Sequence, residues 1–350
     1  MNRKIPQATV IIPNWNGAGH LRECLDSLAA QTFRDFETLL VDNGSTDASV
    51  SLVERDYPWV RVIGLAQNLG FSTAVNVGIR ESQSEYVVLL NNDTRARRDW
   101  LEALIRDMSH WPEASFAASR MLRYEPPHLV DSAGDHFSLL SGAGNNIGAG
   151  DPEGLHKQPA WIFGACAGAA IYRRSLFEDI GVFDEDFFLV FEDVDLDLRA
   201  QVAGHHCLYI PDAVVLHKRG GSTDATSLEV AVRSWRNHVW VAGKNLPPLL
   251  LTWWFGVFVL RMLAHLVTGA IRRARALLSG SRSAGQSEPK TGPRDLRNLP
   301  THYLPVLKSA LRALPAKRRE VAHLRRLGSL KLLSRLRRLP SPVTSHRSGR

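Results

Sequence analysis

Glu85-Tyr86-Val87-Val88-Leu89-Leu90-Asn91-Asn92-Asp93-Thr94 is the stretch that decides the fold. An apolar run with no polar alternation is a strand buried on both faces. It ends in a polar triplet closed by a carboxylate, at the edge where open α/β sheets bind their ligands. Glu37-Thr38-Leu39-Leu40-Val41-Asp42 ends in the same manner and runs into Asn43-Gly44-Ser45-Thr46-Asp47. Two strand-end acids in one β/α array suggest a nucleotide site with a divalent cation, Mg²⁺ or Mn²⁺.

The surrounding chain fits such an array. Ala8-Thr9-Val10-Ile11-Ile12-Pro13 is a β-branched strand stopped by proline, and Leu21, Cys24, Leu25 and Leu28 share one helix face. Asp47 is placed to cap a helix, residues 60–65 form a third strand, and 71–82 a helix. Strands alternating with helices predict an α/β fold with a mostly parallel sheet flanked by helices. Further on, 132–151 is rich in Gly and Asn and reads as a loop. The segment 161–172 carries Gly164, Gly168, Ala169 and Ala170, small enough for close backbone approach. Residues 196–203 are helical, and 207–211 and 214–217 are two strands.

Charge is unevenly distributed. The chain of 350 residues has a net charge of +8, yet residues 261–350 hold 21 Lys and Arg against three acids. Residues 1–260 are left with 22 basic and 32 acidic side chains. A basic tail is expected to meet something anionic. Cys24, Cys166 and Cys207 are unclustered, which excludes a disulfide framework or a zinc site and fits a reducing compartment. Met1-Asn2-Arg3-Lys4-Ile5-Pro6 runs straight into a strand without an apolar h-region, so no signal peptide is expected.

Several side chains could carry chemistry. Asp42 either closes a turn or accepts hydrogen bonds from a nucleobase or ribose. Asn68 and Gly70, with Asn76, place amides and a close-approach glycine around a helix start, where phosphate is favoured. Asp93 is the metal candidate, and the neighbouring Asn92 can bond ribose. Glu192 and Asp193 follow Phe187, Phe188 and Phe191. Carboxylates pressed among aromatics lose solvation, which raises their pKa and makes Asp193 a competent base. Asp195 and Asp197 are expected to serve structure by pairing with Arg199. His217 ends a strand and is either a structural hydrogen bonder or a second metal ligand.

Taken in order, Pro13-Asn14-Trp15-Asn16, Asp42-Asn43-Gly44-Ser45, Asn68-Leu69-Gly70-Phe71, Asn91-Asn92-Asp93, Gly168-Ala169-Ala170 and Glu192-Asp193 resemble family 2 glycosyltransferases, and within them the rhamnosyltransferase-like branch. The resemblance covers residues 6–245. It implies a GT-A fold, an αβα nucleotide-binding sandwich, and inverting transfer of one sugar from a nucleoside diphosphate. By that likeness Asp42 and Asn92 would bind the nucleoside, and Pro13, Asn14, Asn16, Asn43, Ser45, Asn68, Gly70 and Asn76 are the further nucleotide-site candidates. Asp93 takes the family's metal-binding place, with His217 the candidate second ligand. Glu192 and Asp193 would be catalytic, and Trp161, Gly168, Ala169 and Arg199 would line a donor/acceptor pocket. Asn91 departs from the family's Asp-x-Asp motif, which leaves Asp93 with less help. The branch implies rhamnose from dTDP-rhamnose and a lipid-linked or polysaccharide acceptor. Galactose, glucose or GlcNAc as the sugar, or a non-catalytic nucleotide-sugar scaffold, are the alternatives.

Beyond this 1–245 catalytic domain, the segment 246–278 contains an apolar run at 249–271 with Arg261 near its middle. A central charge costs about 2.5–3.5 kcal/mol on insertion scales. Arg272-Arg273-Ala274-Arg275 would also keep its flank cytoplasmic. The expectation is a helix lying in the interface, or a re-entrant hairpin broken near Gly256 or Arg261, at the cytoplasmic face of the cell membrane. A polar linker at 279–300 leads to a basic tail at 301–350, which Gly328-Ser329 splits into short helices. Anionic lipid is its expected partner, ahead of nucleic acid.

Overall fold

The computed structural model describes residues 4–139, 143–220, 228–278 and 304–343, so the expected linker at 279–300 lies outside them. The first half runs β1 (Ala8–Asn14), α1 (Ala18–Ala29), β2 (Phe36–Asp42), α2 (Ser49–Asp56), β3 (Val60–Gly64), α3 (Phe71–Glu81), β4 (Tyr86–Leu90), β5 (Thr94–Ala96), α4 (Trp100–His110) and β6 (Ala114–Arg123). The second continues with β7 (Val130–Ser132), β8 (Asp135–Ser138), β9 (Ala143–Asn146), β10 (Ala160–Ile162), β11 (Ala169–Arg173), α5 (Arg174–Ile180), α6 (Glu192–Ala203) and β12 (His206–His217). It closes with α7 (Leu228–Asn245), α8 (Pro248–Leu278), α9 (Leu304–Glu320), α10 (Ser329–Arg338) and β13 (Ser341–Pro342).

The main sheet has the order β13-β10-β12-β6-β11-β4-β1-β2-β3. Strands β3, β2, β1 and β4 are mutually parallel, β11 is antiparallel to both neighbours, and β12 lies parallel to β6. The carboxyl ends of β1, β2, β4 and β12 therefore share one edge, where Asn14, Asp42, the 91–93 triplet and His217 stand. Alternation along the strands sorts the core into two layers. Val10, Ile12, Val88 and Leu90 pack with α1, α2 and α4, whereas Ile11, Val87 and Leu89 pack with α3, α5 and α6. A third cluster joins Leu198 and Val202 of α6 to Trp240 of α7, Leu250 and Trp254 of α8, Ala310 of α9 and Leu332 of α10.

Several local expectations change. The 132–151 stretch is not a plain loop, because Asp135–Ser138 and Ala143–Asn146 pair as a hairpin. The two strands expected at 207–217 are one, β12, with a register shift between Ile210 and Val214 at Pro211-Asp212. Asp47 is not the N-cap of α2; Ala48 holds that place. The Asp47 carboxylate instead accepts from the backbone N–H of Ser49 and of Ala18, tying the starts of α1 and α2 together. Helix α6 begins at Glu192, which puts both candidate catalytic acids in its first turn.

Helix α8 is unbroken from Pro248 to Leu278, so there is no hairpin break at Gly256 or Arg261. Trp254 packs inward at 3% exposure while Trp253 and Leu260 stand out at 55% and 67%. Among the described residues no helix is long and apolar enough to cross a membrane. The basic tail splits at Gly328 as its sequence suggests, but it lies on the acidic body. Lys317 bonds Asp184 and Asp186, and Arg326 bonds Asp179.

Candidate active site

Asn14, at the end of β1, is the hub of the nucleotide end. Its Nδ2 donates to Asp42 Oδ1 at 2.9 Å and to Ser45 Oγ at 3.2 Å, and its Oδ1 accepts from Asn92 Nδ2 at 2.7 Å. Asp42 also accepts from the Ser45 hydroxyl and backbone N–H, which shapes the Asn43-Gly44 turn. Asn16, at a left-handed φ of 50°, accepts from Thr46 N. Asn43 donates to Asn68 Oδ1 and to the Gly70 carbonyl, and accepts from Leu69 N. Three strand ends and one loop are thereby laced into a polar floor with Trp15 and Leu69 exposed at its rim. Pro13 pairs with Val41 in the ladder and contributes shape only.

Two members of the expected nucleotide site face elsewhere. Asn76 is fully buried; its amide donates to the Phe183 carbonyl and Glu185, and its oxygen accepts from Phe183 N. It fastens α3 to the 183–185 segment. Gly70 allows close approach, but of protein: at φ 89° an added Cβ would lie 2.6 Å from the Phe188 ring.

The metal end is built by strand register. β5 and β12 run antiparallel with His217 opposite Thr94, which brings the imidazole beside Asp93. His217 Nε2 lies 3.3 Å from Asp93 Oδ1, and Nδ1 lies 2.7 Å from Asp131 Oδ2. Asp131, on β7, is a functional candidate that the sequence did not single out, because its only signal is spatial. Arg219 also contacts it. Burial alone would lower the His217 pKa, but the hydrogen bonds and charges of Asp131 and Asp93 raise it to about 9. As an imidazolium His217 bridges two carboxylates; once Nε2 is deprotonated it is a nitrogen ligand beside a hard oxygen, oriented through Nδ1 as metal-binding imidazoles are. This donor set fits a divalent cation with two protein ligands. Among the described residues no group of three or more His, Cys, Asp or Glu is arranged to hold a metal by itself.

The catalytic end is the first turn of α6. Asp193 Oδ2 accepts from Ala167 N at 3.4 Å and Oδ1 from Val194 N at 2.8 Å. The next residue of the same loop, Gly168, accepts from Asn91 N at 2.9 Å. One short loop thus touches the Asn91–Asp93 triplet with one residue and Asp193 with its neighbour. Burial raises the Asp193 pKa against those two backbone donors. Burial, then the charge of Asp193, pushes Glu192 to about 8, and the same two causes push Asp135 to about 8. Asp135 is a second residue of this site that patterning missed.

Three members of the expected donor/acceptor pocket are elsewhere. Trp161 pairs with Leu208 near the start of β12, roughly 30 Å along that strand from His217. There it lines a cavity of about 680 Å³ closed by α10. Arg199 is 3% exposed and holds Asp195 Oδ2 and the carbonyls of Ile180, Gly181 and Val182. Ala169 is buried in the sheet opposite Leu90. Gly168 alone stays at the site. Asp195 pairs with Arg199 as expected, but Asp197 does not, and among the described residues neither of its buried oxygens has a hydrogen-bond partner.

Comparison with known proteins bears on the fold and the family. The profile described as "Glycosyl transferase family 2" matches residues 9–181. The N-acetylglucosaminyl-diphospho-decaprenol L-rhamnosyltransferase of Mycobacterium tuberculosis is 31% identical over 239 residues, covering 61% of this chain and 76% of the relative. Among solved structures, residues 1–349 of S. aureus TarS superpose with a TM-score of 0.53 at 18% identity, over 91% of this chain and 89% of that one. The mannosyltransferase PcManGT from Pyrobaculum calidifontis, solved with GDP-Man and Mn²⁺, gives 0.51 at 20% identity over 91% and 86%. The strand-end acids, the polar floor beneath them and the breadth of these matches lead to one conclusion: the chain belongs to glycosyl transferase family 2.

Proposed function

We propose that this glycosyltransferase moves a single sugar, rhamnose from dTDP-rhamnose, onto a lipid-linked acceptor, with inversion at the anomeric carbon. The sugar and the acceptor class follow the name of the M. tuberculosis relative, an N-acetylglucosaminyl-diphospho-decaprenol L-rhamnosyltransferase, and the dTDP carrier follows the resemblance to the rhamnosyltransferase-like branch. The observation that supports the chemistry most is the 167–168 loop joining the Asp93 triplet to Asp193. The Asn14–Asp42–Asn92 floor orients the nucleoside. Asp93 and His217 would hold Mg²⁺ or Mn²⁺, with diphosphate and water completing the shell. A cation held there would supply positive charge to offset that of the departing diphosphate. Asp193 accepts the acceptor hydroxyl's proton as that oxygen attacks from the face opposite the leaving group, and its raised pKa suits it as a base. The acid remains on the protein until solvent takes the proton.

The same reading puts the enzyme on the cytoplasmic face of the membrane. The exposed Trp253 and Leu260 of α8 and the excess of Lys and Arg after residue 260 support contact with anionic lipid.

The deciding experiment is a thermal-shift screen of nucleotide sugars with and without Mn²⁺ or Mg²⁺. Stabilisation by dTDP-rhamnose that depends on the cation is the expected outcome. Stabilisation by a different nucleotide sugar would replace the donor, and stabilisation by none would overturn the nucleotide-sugar site itself.

A further inference from the structure

The loop that delivers Asp193 is held in an improbable conformation. Phe188, Val190 and Phe191 have φ values of 65°, 70° and 69°, in the left-handed region that side chains of this size avoid. Such backbone persists only where its surroundings over-determine it. Here three helices do so. On α3, Phe71 N donates to the Phe188 carbonyl at 2.6 Å. On α7, Asn237 Nδ2 donates to the carbonyls of Phe187, Leu189 and Val190, and Arg236 to those of Asp186 and Phe187. The third clamp comes from α9, more than 100 residues beyond the base. Lys317, 4% exposed, donates to Asp184 Oδ1 and Oδ2 at 3.0 and 2.8 Å and to Asp186 Oδ2 at 2.8 Å.

Asp184 is more than an anchor for α9. It caps the single 3₁₀ turn Glu185–Phe187 that opens the strained loop, accepting from Asp186 N. It also shares Lys244 with Asp195, and Asp195 sits on α6 two residues past Asp193. The order is therefore Lys317, Asp184, Lys244, Asp195, with the loop and the base between its two carboxylates. Without Lys317, Asp184 is left with Lys244, which it shares with Asp195, so the turn feeding the loop loses one of its two buried lysine partners.

We propose that Lys317 is a positioning residue for sugar transfer: through Asp184 it fixes the left-handed loop 188–191 and so the placement of Asp193. This rests on the reading of Asp193 as the base. It also assigns the C-terminal basic segment a part in catalysis within the body, separate from any lipid contact.

Lys317→Met, Lys317→Arg and Asp184→Asn, made in the full chain, test it. Two readouts are needed: transfer from dTDP-rhamnose to a synthetic N-acetylglucosaminyl diphospholipid, and amide hydrogen exchange. Lys317→Met is expected to lower kcat roughly 10²-fold, the scale of a small misplacement of a reacting group. The donor KM should stay within about twofold, since the donor floor is untouched. Exchange should quicken at 184–194 and not in β1, β2 or β4. Lys317→Arg should restore most of kcat. Lys317→Met should cost less on top of Asp184→Asn than alone, because the Lys317–Asp184 pair is common to both and only the exposed Asp186 contact is left to lose. Unchanged exchange at 184–194 in Lys317→Met overturns the proposal whatever substrate is used, as does a loss of protection spread evenly over the chain. Asp193→Asn run alongside separates the two claims. If it transfers at the native rate, the base assignment falls; if it is inactive while Lys317→Met keeps full kcat, only the role of Lys317 falls.

Discussion

The proposed chemistry turns on a few carboxyl groups whose burial does more than their identity. Asp193 and Glu192 stand side by side in one helical turn, and both are shifted upward by loss of water. Asp193→Asn is expected to lower kcat about 10²–10⁴-fold, the usual worth of general-base help, while cation-dependent stabilisation by the donor survives. The acid limb of the wild-type rate profile should lie above the ordinary aspartate value of about 3.9. Glu192 makes a separate prediction about stability. Its folded pKa of about 8 exceeds the ordinary 4.5, so its contribution is fully present below pH 4.5 and is lost as pH rises through 8. Glu192→Gln should therefore raise the melting temperature at pH 8 by several degrees, at roughly 2–4 °C per kcal/mol, and leave it unchanged at pH 4. Asp131→Asn removes the group that orients His217. Mn²⁺ affinity, read by titrating the thermal shift, should fall about 10–100-fold with little change in folding.

Elements explain why those residues meet. The pairing of β5 with β12 sets His217 beside Asp93 across more than a hundred residues. The hairpin that contains Asp135 folds back so that Asp135 pairs with Gly164. Loop-on-loop contacts matter equally: Gly70 is needed because the 68–71 turn lies directly on Phe188. Gly70→Ala meets both a positive φ and a 2.6 Å contact, so a loss of more than about 1 kcal/mol is expected in a denaturant melt. Transfer should slow as well, since Phe188 belongs to the loop before the base. In α8, one face seats Leu250 and Trp254 in the third core cluster and the other exposes Trp253 and Leu260. Trp253→Ser with Leu260→Ser should weaken sedimentation with anionic vesicles and leave nucleotide-sugar stabilisation intact. Unaltered sedimentation would remove α8 from the membrane reading.

At the scale of the molecule, an acidic body and a basic tail close on each other. Burial raises the pKa of Asp184, but the charges and hydrogen bonds of Lys244 and Lys317 more than offset it and hold the group at about 2. A depressed carboxyl stabilises above its ordinary value and loses that stabilisation as pH falls through the folded one. The stabilisation that Asp184 lends to the seating of α9 should thus begin to fall below pH 3.8 and be gone near 2, seen as a fluorescence change from Trp240, whose indole N–H donates to the Ala310 carbonyl.

What the sequence determined by itself was the α/β class, the strand-end acids at positions 42 and 93, and the acid pair at 192–193, because short-range periodicity and strand ends are local properties. It also separated body from tail by charge, but not the direction in which that charge is spent. Only the tertiary structure decided that Trp161, Arg199, Ala169 and Asn76 lie away from the candidate site. It alone placed Asp131 and Asp135 beside the candidate ligands and the candidate base, and turned part of the basic tail inward onto Asp179, Asp184 and Asp186. The reason is physical: side-chain type states what a residue can do, whereas strand register, left-handed backbone and the pairing of buried charges over long chain separations state where it does it.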